Sequence, residues 1–279
     1  SLGHKIQPRP KRFGGRGFYL EGKTPMEANE LEKIRLEKIH KMRAAGLEPY
    51  PTRSAASQTI HNTLEAFQKA EAVGGERVDA TLAGRIRSLR LMGKLAFAHI
   101  EDGSGRVQLM FRVNEVGEDM MAQLRDYYDL GDFIEATGTM MRTKTGEMTL
   151  LVSSLRMLAK AVTPLPAAKD EVVDGEVVRH ATLSDPETRY RQRYADLAVN
   201  PEVREVFRAR AAIVRALREF LDARDFIEVE TPILQPIYGG AAAKPFITHH
   251  NQLKQDLYLR ISFELYLKRL LVGMFRGVY

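Results

Sequence analysis

The sequence predicts an α+β protein: a helical N-terminal extension, a five-stranded β-barrel, and then a region that mixes a long helix with short antiparallel strands. Three observations lead there. Between Val78 and Leu158 the apolar residues recur with a period near two, interrupted once by a helical pattern. From Glu202 to Arg224 the period lengthens to that of a helix, with Val206, Ala209, Ile213, Leu217, Phe220 and Leu221 on one face. Between these regions lies a proline-bounded linker, residues 163–186, opened by Pro164 and Pro166 and closed by Pro186.

Composition supports a folded chain with real cores. Hydrophobic residues make up 44% and charged residues 28% of 279, which argues against disorder along the whole length. No apolar run approaches the ~20 residues that a membrane helix needs. The best stretch, Leu265 to Val278, is broken by Lys268, Arg269 and Arg276, so no membrane partner is expected. There are no cysteines, which excludes disulfides and thiolate zinc sites and fits a cytoplasmic location. The net charge of +6 is concentrated at one end: residues 1–23 hold six Lys and Arg against Glu21 alone. Residues 1–25 read as a disordered basic tail, either a leader without function or a source of sequence-independent affinity for nucleic acid.

The elements follow in order. Residues 26–76 form the helical extension. A first helix carries Leu31, Ile34, Ile39 and Met42 near helical spacing and ends at Gly46, a residue suited to a helix C-terminus. A second runs from an Asn62 N-cap to Ala72 and stops at Gly74-Gly75. Residues 77–162 form the barrel. Its first strand runs from Val78 to Leu95, with Gly84 and Gly93 as bulges or bends. Ala96–Glu101 is the second strand, Asp102-Gly103-Ser104-Gly105 a tight turn, and Val107–Val113 the third strand, with Gln108 and Met110 facing outward. A helix from Val116 to Tyr127 leads to strands Phe133–Met141 and Met148–Leu158, joined at Lys144-Thr145-Gly146-Glu147. Three strands, a helix and two strands is the order of the OB-fold, and pattern alone leaves an unrelated small barrel equally open. The linker stretch Asp170–Arg179 is charged and unpatterned. Residues 187–279 then bring the long helix, a strand at Phe226–Val229, a small-residue loop at Gly239-Gly240-Ala241, strands Phe246–His249 and Leu257–Ile261, and a helix Phe263–Val272. Val278-Tyr279 looks like the start of a further strand.

Several segments carry a resemblance. Arg90-Leu91-Met92-Gly93-Lys94-Leu95-Ala96-Phe97 and Asp102-Gly103-Ser104-Gly105-Arg106-Val107-Gln108 resemble the anticodon-binding barrel of the class IIb aminoacyl-tRNA synthetases, the group of the lysine, aspartate and asparagine enzymes. Tyr190-Arg191-Gln192-Arg193-Tyr194-Ala195-Asp196-Leu197 resembles the segment that opens their catalytic domain. The long helix with Phe226-Ile227-Glu228-Val229-Glu230-Thr231-Pro232 is similar to class II motif 1. Gly239 to Phe246, Thr248 to Asn251, and Leu257 to Leu270 are similar to the lysine branch.

The resemblance implies roles. Arg90, Phe97 and Gln108 would hold the central uracil of a tRNA(Lys) anticodon, with Glu147 nearby. The residue types suit base recognition. Phe97 offers a stacking face, Gln108 both a donor and an acceptor, and Arg90 a guanidinium for phosphate or a base edge. Taken singly, Phe97 also reads as core and Glu147 as a solvated turn carboxylate. Gly240, through its backbone carbonyl, and Glu264 would bind the α-ammonium of substrate lysine; alone, Glu264 reads as a carboxylate favoured at any helix N-terminus. Phe220 and Pro232 would belong to a motif 1 homodimer interface, against the alternative of an ordinary helix–strand pair. The activity implied is ATP-dependent lysine–tRNA ligation through lysyl-adenylate, with neither a catalytic nucleophile nor a metal site in this chain. His249 and His250 are adjacent on a strand and point to opposite faces. The ligands of ATP and Mg2+, in motifs 2 and 3, are expected beyond Tyr279. The alternative is a truncated, non-catalytic tRNA-binding or dimerisation module. Two departures stand out. Asp225 occupies a usual glycine, a substitution that Asp tolerates in the left-handed conformation. Met274, Arg276 and Gly277 interrupt a stretch that usually reads Gly-Gly-Phe-Glu-Arg-Val.

Overall fold

Strand β1 (Asp79–Met92) is too long to pair with one neighbour, and it does not. Its first half, Asp79–Arg85, runs antiparallel to β4 (Phe133–Arg142), and its second half, Arg85–Met92, antiparallel to β2 (Leu95–Glu101). An irregularity between Ile86 and Ser88 marks where the strand turns from one partner to the other. β3 (Arg106–Arg112) pairs with β2, and β5 (Met148–Ala159) pairs antiparallel with β4. A short parallel pairing of Gln108–Met110 with Thr149–Leu151 joins β3 to β5 and closes the barrel in the order β1-β2-β3-β5-β4. This is the OB-fold order expected from the strand pattern. The computed structural model describes residues 29–75, 77–166, 169–173, 176–180 and 183–279. The basic tail and the first residues of the helical extension lie outside them.

Alternation fills the barrel. Leu82, Ile86, Ile100, Leu109, Phe111, Ile134, Leu150 and Val152 are all buried within it, each worth about 1.5–3 kcal/mol against exposure. Gly138 sits at another irregularity, between Thr137 and Gly138, where a Cβ would lie 2.0 Å from the Leu151 carbonyl oxygen, so only glycine fits. Helix α3 (Val113–Tyr127) connects β3 to β4 and places Leu124 in the core. It begins earlier than its pattern suggests and is kinked at Gly117, whose φ of 80° is not helical.

Helix α1 (Glu30–Ala44) opens with a capping box between Asn29 and Glu32 and ends before Gly46, whose φ is 75°. Its predicted face is half right. Ile39 and Met42 are buried, but Leu31 and Ile34 are about half exposed. Arg35 is buried instead, donating to the carbonyls of Leu130 and Ala161 at 3.0 and 2.9 Å. Close by, the fully buried Lys160 donates to Asp129 and Asp132 at 2.6 and 2.7 Å, and Lys38 of α1 donates to Asp129 at 2.7 Å. The helix is therefore docked by charge and hydrogen bonds as much as by apolar contact. Helix α2 (Ile60–Ala72) is capped by Thr59, whose hydroxyl accepts from the Asn62 N–H, rather than by Asn62 itself. Asp102 in the β2–β3 turn accepts from the N–H groups of Ile60, Ser104 and Gly105, and so fixes both the turn and the start of α2. Gly84 is not a bulge: it allows close approach to Ile100 and Glu101. Gly93 follows the end of β1, so Leu95 belongs to β2.

The chain divides into two compact units, residues 1–165 and 166–279. In the second, the stretch read as unpatterned linker contains a hairpin, β6 (Lys169–Val173) with β7 (Glu176–His180). Helices α4 (Pro186–Arg191), α5 (Arg193–Val199) and α6 (Pro201–Asp222) follow. The fully buried Asp196 accepts from Arg189 and Asn200, both at 2.8 Å, and from Arg193, tying these three helices together. A three-stranded sheet orders β8 (Leu234–Gln235), β10 (Gln255–Leu259) and β9 (Ile247–His250), and α7 spans Glu264–Val272. The strand expected at Phe226–Val229 is reduced to a parallel bridge of Ile227 with Val278, extended by a hydrogen bond from the Val229 N–H to the Tyr279 carbonyl. Its partner there lies about fifty residues away, at Gly277–Tyr279, which sequence periodicity does not reveal. Asp225 and Met274, the two departures at usual glycine positions, both adopt positive φ, 61° and 74°.

One buried carboxylate makes the barrel's stability depend on pH. Burial pushes the Glu135 carboxyl upward, but hydrogen bonds from the Ser54 hydroxyl and the Ala55 N–H, with the Arg156 guanidinium at 2.9 Å, outweigh it and hold Glu135 below the usual carboxylate range. Its folded pKa is depressed, so its stabilisation is complete above the unfolded value of about 4.3 and is lost as pH falls through the folded value. Glu135→Gln is expected to lower stability by about 1–3 kcal/mol at pH 7. Below pH ~4.3 the difference from the parent chain should narrow, which thermal unfolding of both proteins across pH 3–7 will measure.

Candidate nucleic-acid interface and amino-acid pocket

The register of β1, β2, β3 and β5 builds a groove on the barrel's outer face. Ser88 lies opposite His99, His99 opposite Gln108, and Gln108 opposite Thr149, which makes one row across four strands. The next row is Arg90, Phe97 and Met110. Together with the β4–β5 loop at Thr143-Lys144-Thr145 these rows line a groove of about 550 Å³. Three of the residues singled out in the sequence, Arg90, Phe97 and Gln108, line it together. Phe97 is half-buried and Arg90 exposed. Met110 does share the outward face with Gln108, as expected, but it is almost completely buried and forms the apolar floor.

Glu147, the fourth residue, reaches the groove from the β4–β5 loop. Its two carboxylate oxygens have separate partners: Oε2 accepts from Gln108 Nε2 at 2.6 Å and Oε1 lies 2.9 Å from His99 Nε2. The amide oxygen of Gln108 accepts from the Thr149 hydroxyl at 2.8 Å. Gln108 thus keeps one N–H and one lone pair for a ligand. The loop itself is braced from α2, where Glu71 takes two nitrogens of Arg142 while a third Arg142 nitrogen donates to the Gly146 carbonyl. A flat apolar ring, a held amide and an exposed guanidinium in one open groove are what a single-stranded base with its phosphate requires. Sequence reasoning missed Ser88, His99 and Thr149. The signal that would have found them is the strand period: each stands two residues, or one cross-strand step, from a residue already chosen.

The second unit places Gly240 and Glu264 side by side. Gly240 has φ 91°, and a Cβ on it would fall 2.8 Å from Ser262 Oγ and 3.0 Å from the Glu264 Cβ. Glu264 begins α7, receives Lys268 one turn later, and its N–H donates to Ser262. Phe220 is exposed, with the Arg224 guanidinium 3.4 Å from its ring centre. Pro232 is exposed and its carbonyl accepts from Gln235. The apolar face of α6 also remains open: Val206, Ile213 and Leu217 are each more than half exposed. His249 pairs with Asp256, and the ring of His250 accepts from the Leu253 N–H. Among the described residues no cluster of three His, Asp or Glu side chains could hold a metal ion, and no helix is long and apolar enough to cross a membrane.

Residues 80–158 match the family model for the OB-fold nucleic acid binding domain, and residues 185–279 match that for tRNA synthetases class II (D, K and N). A lysine–tRNA ligase of Roseiflexus castenholzii is 54% identical over 255 residues, 91% of this chain and 49% of the relative. Those of Chloroflexus aurantiacus and Clostridium novyi are 50% and 45% identical, over 91% and 93% of this chain and 49% and 48% of theirs. The chain spans about half the length of the curated relatives it matches.

Gly240→Ala tests the close approach at the second site. The added methyl meets Ser262 and forces a left-handed alanine, so a loss of about 1–2 kcal/mol is expected in denaturant unfolding.

Proposed function

We propose that this chain, whose two parts belong to the OB-fold nucleic acid binding domains and to the class II tRNA synthetases (D, K and N), reads a lysine tRNA anticodon with its barrel and holds lysine in its second unit, as part of a lysine–tRNA ligase. The single observation that carries this reading is the convergence of Arg90, Phe97 and Gln108 on one groove from three strands, with Glu147 of the β4–β5 loop hydrogen-bonded to Gln108. Phe97 stacks an unpaired base. Gln108 meets its hydrogen-bonding edge with the donor and acceptor left over from Glu147 and Thr149. Arg90 on the rim pairs with the adjoining phosphate.

The lysine pocket works by charge and by the absence of a side chain. Glu264 is a carboxylate beside a glycine whose backbone a ligand can approach closely. An α-ammonium has three donors and no acceptor, so a carboxylate and a backbone carbonyl are its natural partners. Lys268 occupies Glu264 here, and the substrate ammonium takes over or shares that carboxylate. ATP, with magnesium, supplies the activated phosphate in such a ligation. The part of the described residues is to bind RNA and lysine. The open face of α6, with Phe220, and the segment at Pro232 would be covered by a second copy of the chain.

Two measurements test the reading. Phe97→Ala should raise the Kd for an anticodon stem-loop RNA by roughly 5- to 150-fold, the equivalent of about 1–3 kcal/mol for one stacked base. Unchanged affinity removes the barrel from RNA recognition. Glu264→Gln should weaken lysine binding about tenfold or more in isothermal titration, since it deletes the charge from a charge-assisted hydrogen bond. Equal lysine affinity removes Glu264 from the pocket.

A further inference from the structure

We propose that His99 is the positioning residue that sets which pyrimidine the groove accepts. This rests on the anticodon reading above and deepens it.

Hydrogen-bond polarity orders the contacts around His99. The Glu147 carboxylate only accepts, so the His99 Nε2 that lies 2.9 Å from it carries the proton. In the neutral ring Nδ1 is then an acceptor, and the Ser88 hydroxyl 2.8 Å away donates to it. Ser88 fixes His99, His99 holds Oε1 of Glu147, Oε2 of Glu147 holds the amide nitrogen of Gln108, and Thr149 holds the amide oxygen. The Glu147 end of the relay has a fixed polarity: the acceptor-only carboxylate makes His99 Nε2 and Gln108 Nε2 its donors.

Direction matters because an amide has two ends of similar shape and opposite polarity. Uracil presents an N–H donor flanked by carbonyl acceptors. Cytosine presents a ring-nitrogen acceptor beside an amino donor. An amide turned over by 180° exchanges its oxygen and nitrogen and so matches the other pyrimidine. Glu147 is the group that holds the nitrogen end, and it stands half-exposed on a loop, directly after Gly146. His99, packed in the sheet and three-quarters buried, is the second anchor of that carboxylate. With it, Glu147 cannot swing away and Gln108 cannot turn over. His99 lines the groove but acts on the amide through Glu147, so its loss should cost discrimination more than affinity.

The test is fluorescence anisotropy with two anticodon stem-loop RNAs that differ only in carrying U or C at the central anticodon position. The parent chain should prefer U by roughly tenfold or more. His99→Ala should lose most of that ratio while its affinity for the U RNA changes only a few-fold. His99→Gln, whose amide N–H can still donate to Glu147, should recover it. Ser88→Ala, a milder change that frees the other side of the ring, should lower the ratio in the same direction, and it decides the matter if His99→Ala does not fold. A full U-over-C ratio in both His99→Ala and Ser88→Ala overturns the proposal, as does failure of His99→Gln to recover what His99→Ala loses. Phe97→Ala separates this from the underlying reading. If Phe97→Ala loses affinity for both RNAs and the ratio survives without His99, the groove binds RNA and only the positioning role fails. If Phe97→Ala binds like the parent and the parent shows no preference, the anticodon reading falls and the proposal with it.

Discussion

Closure of the barrel through the short parallel pairing of β3 with β5 is the constraint on which the candidate RNA site depends. Gln108 and Thr149 are far apart in sequence and meet only because that pairing sets their register. Shift it by one residue and the side chains of β5 exchange faces: Leu150 would face the groove and Thr149 the core. Register irregularities at Ile86/Ser88, Phe133/Ile134 and Thr137/Gly138 interrupt the ladders, and glycine at 138 is the residue that lets the Leu151 carbonyl come close. The groove's chemistry is thus a consequence of how the barrel core is filled. The inward residues hold the register, and the outward ones inherit their alignment from it.

Around this barrel the structure uses buried charge to attach what hydrophobic contact alone would hold weakly. Arg35 on two carbonyls and Lys38 on Asp129 fasten α1, and Lys160 holds Asp129 and Asp132 in place for it. Asp102 fastens the start of α2, while on the surface the exposed pair of Glu71 and Arg142 links its far end to the loop that carries Glu147. Such groups add little net stability, because each must offset its desolvation. What they supply is position: a charged group tolerates few alternative arrangements once its partners are buried. In the second unit Asp196 does the same for three helices.

Much of this is legible in the residues. The strand order, the turn at Asp102–Gly105, the positive φ of Asp225 and the grouping of Arg90, Phe97 and Gln108 are all readable from periodicity, turn chemistry and family resemblance. Other features are not. Leu31 and Ile34 stand at helical spacing with Ile39 and Met42, yet Arg35 takes the buried place, because carbonyls from Leu130 and Ala161 await it there. Nothing local to α1 announces those partners. The hairpin of β6 and β7 is hidden by the charge of its segment, since pairing satisfies backbone groups whatever the side chains.

Sequence by itself determined most of the parts: which barrel segments become strands, which long stretches become helices, where turns need glycine, and which residue types stand ready to stack a base or meet an ammonium. It could do so because those properties belong to single residues and their near neighbours. Tertiary structure decided the pairings. That Glu147 divides its two oxygens between His99 and Gln108, that Gly240 lies against Glu264, and that Ile227 finds its partner at Val278 all depend on contacts between residues remote in the chain. Periodicity tells which face a side chain takes. Only closure of the barrel and packing of the second unit tell what it meets there.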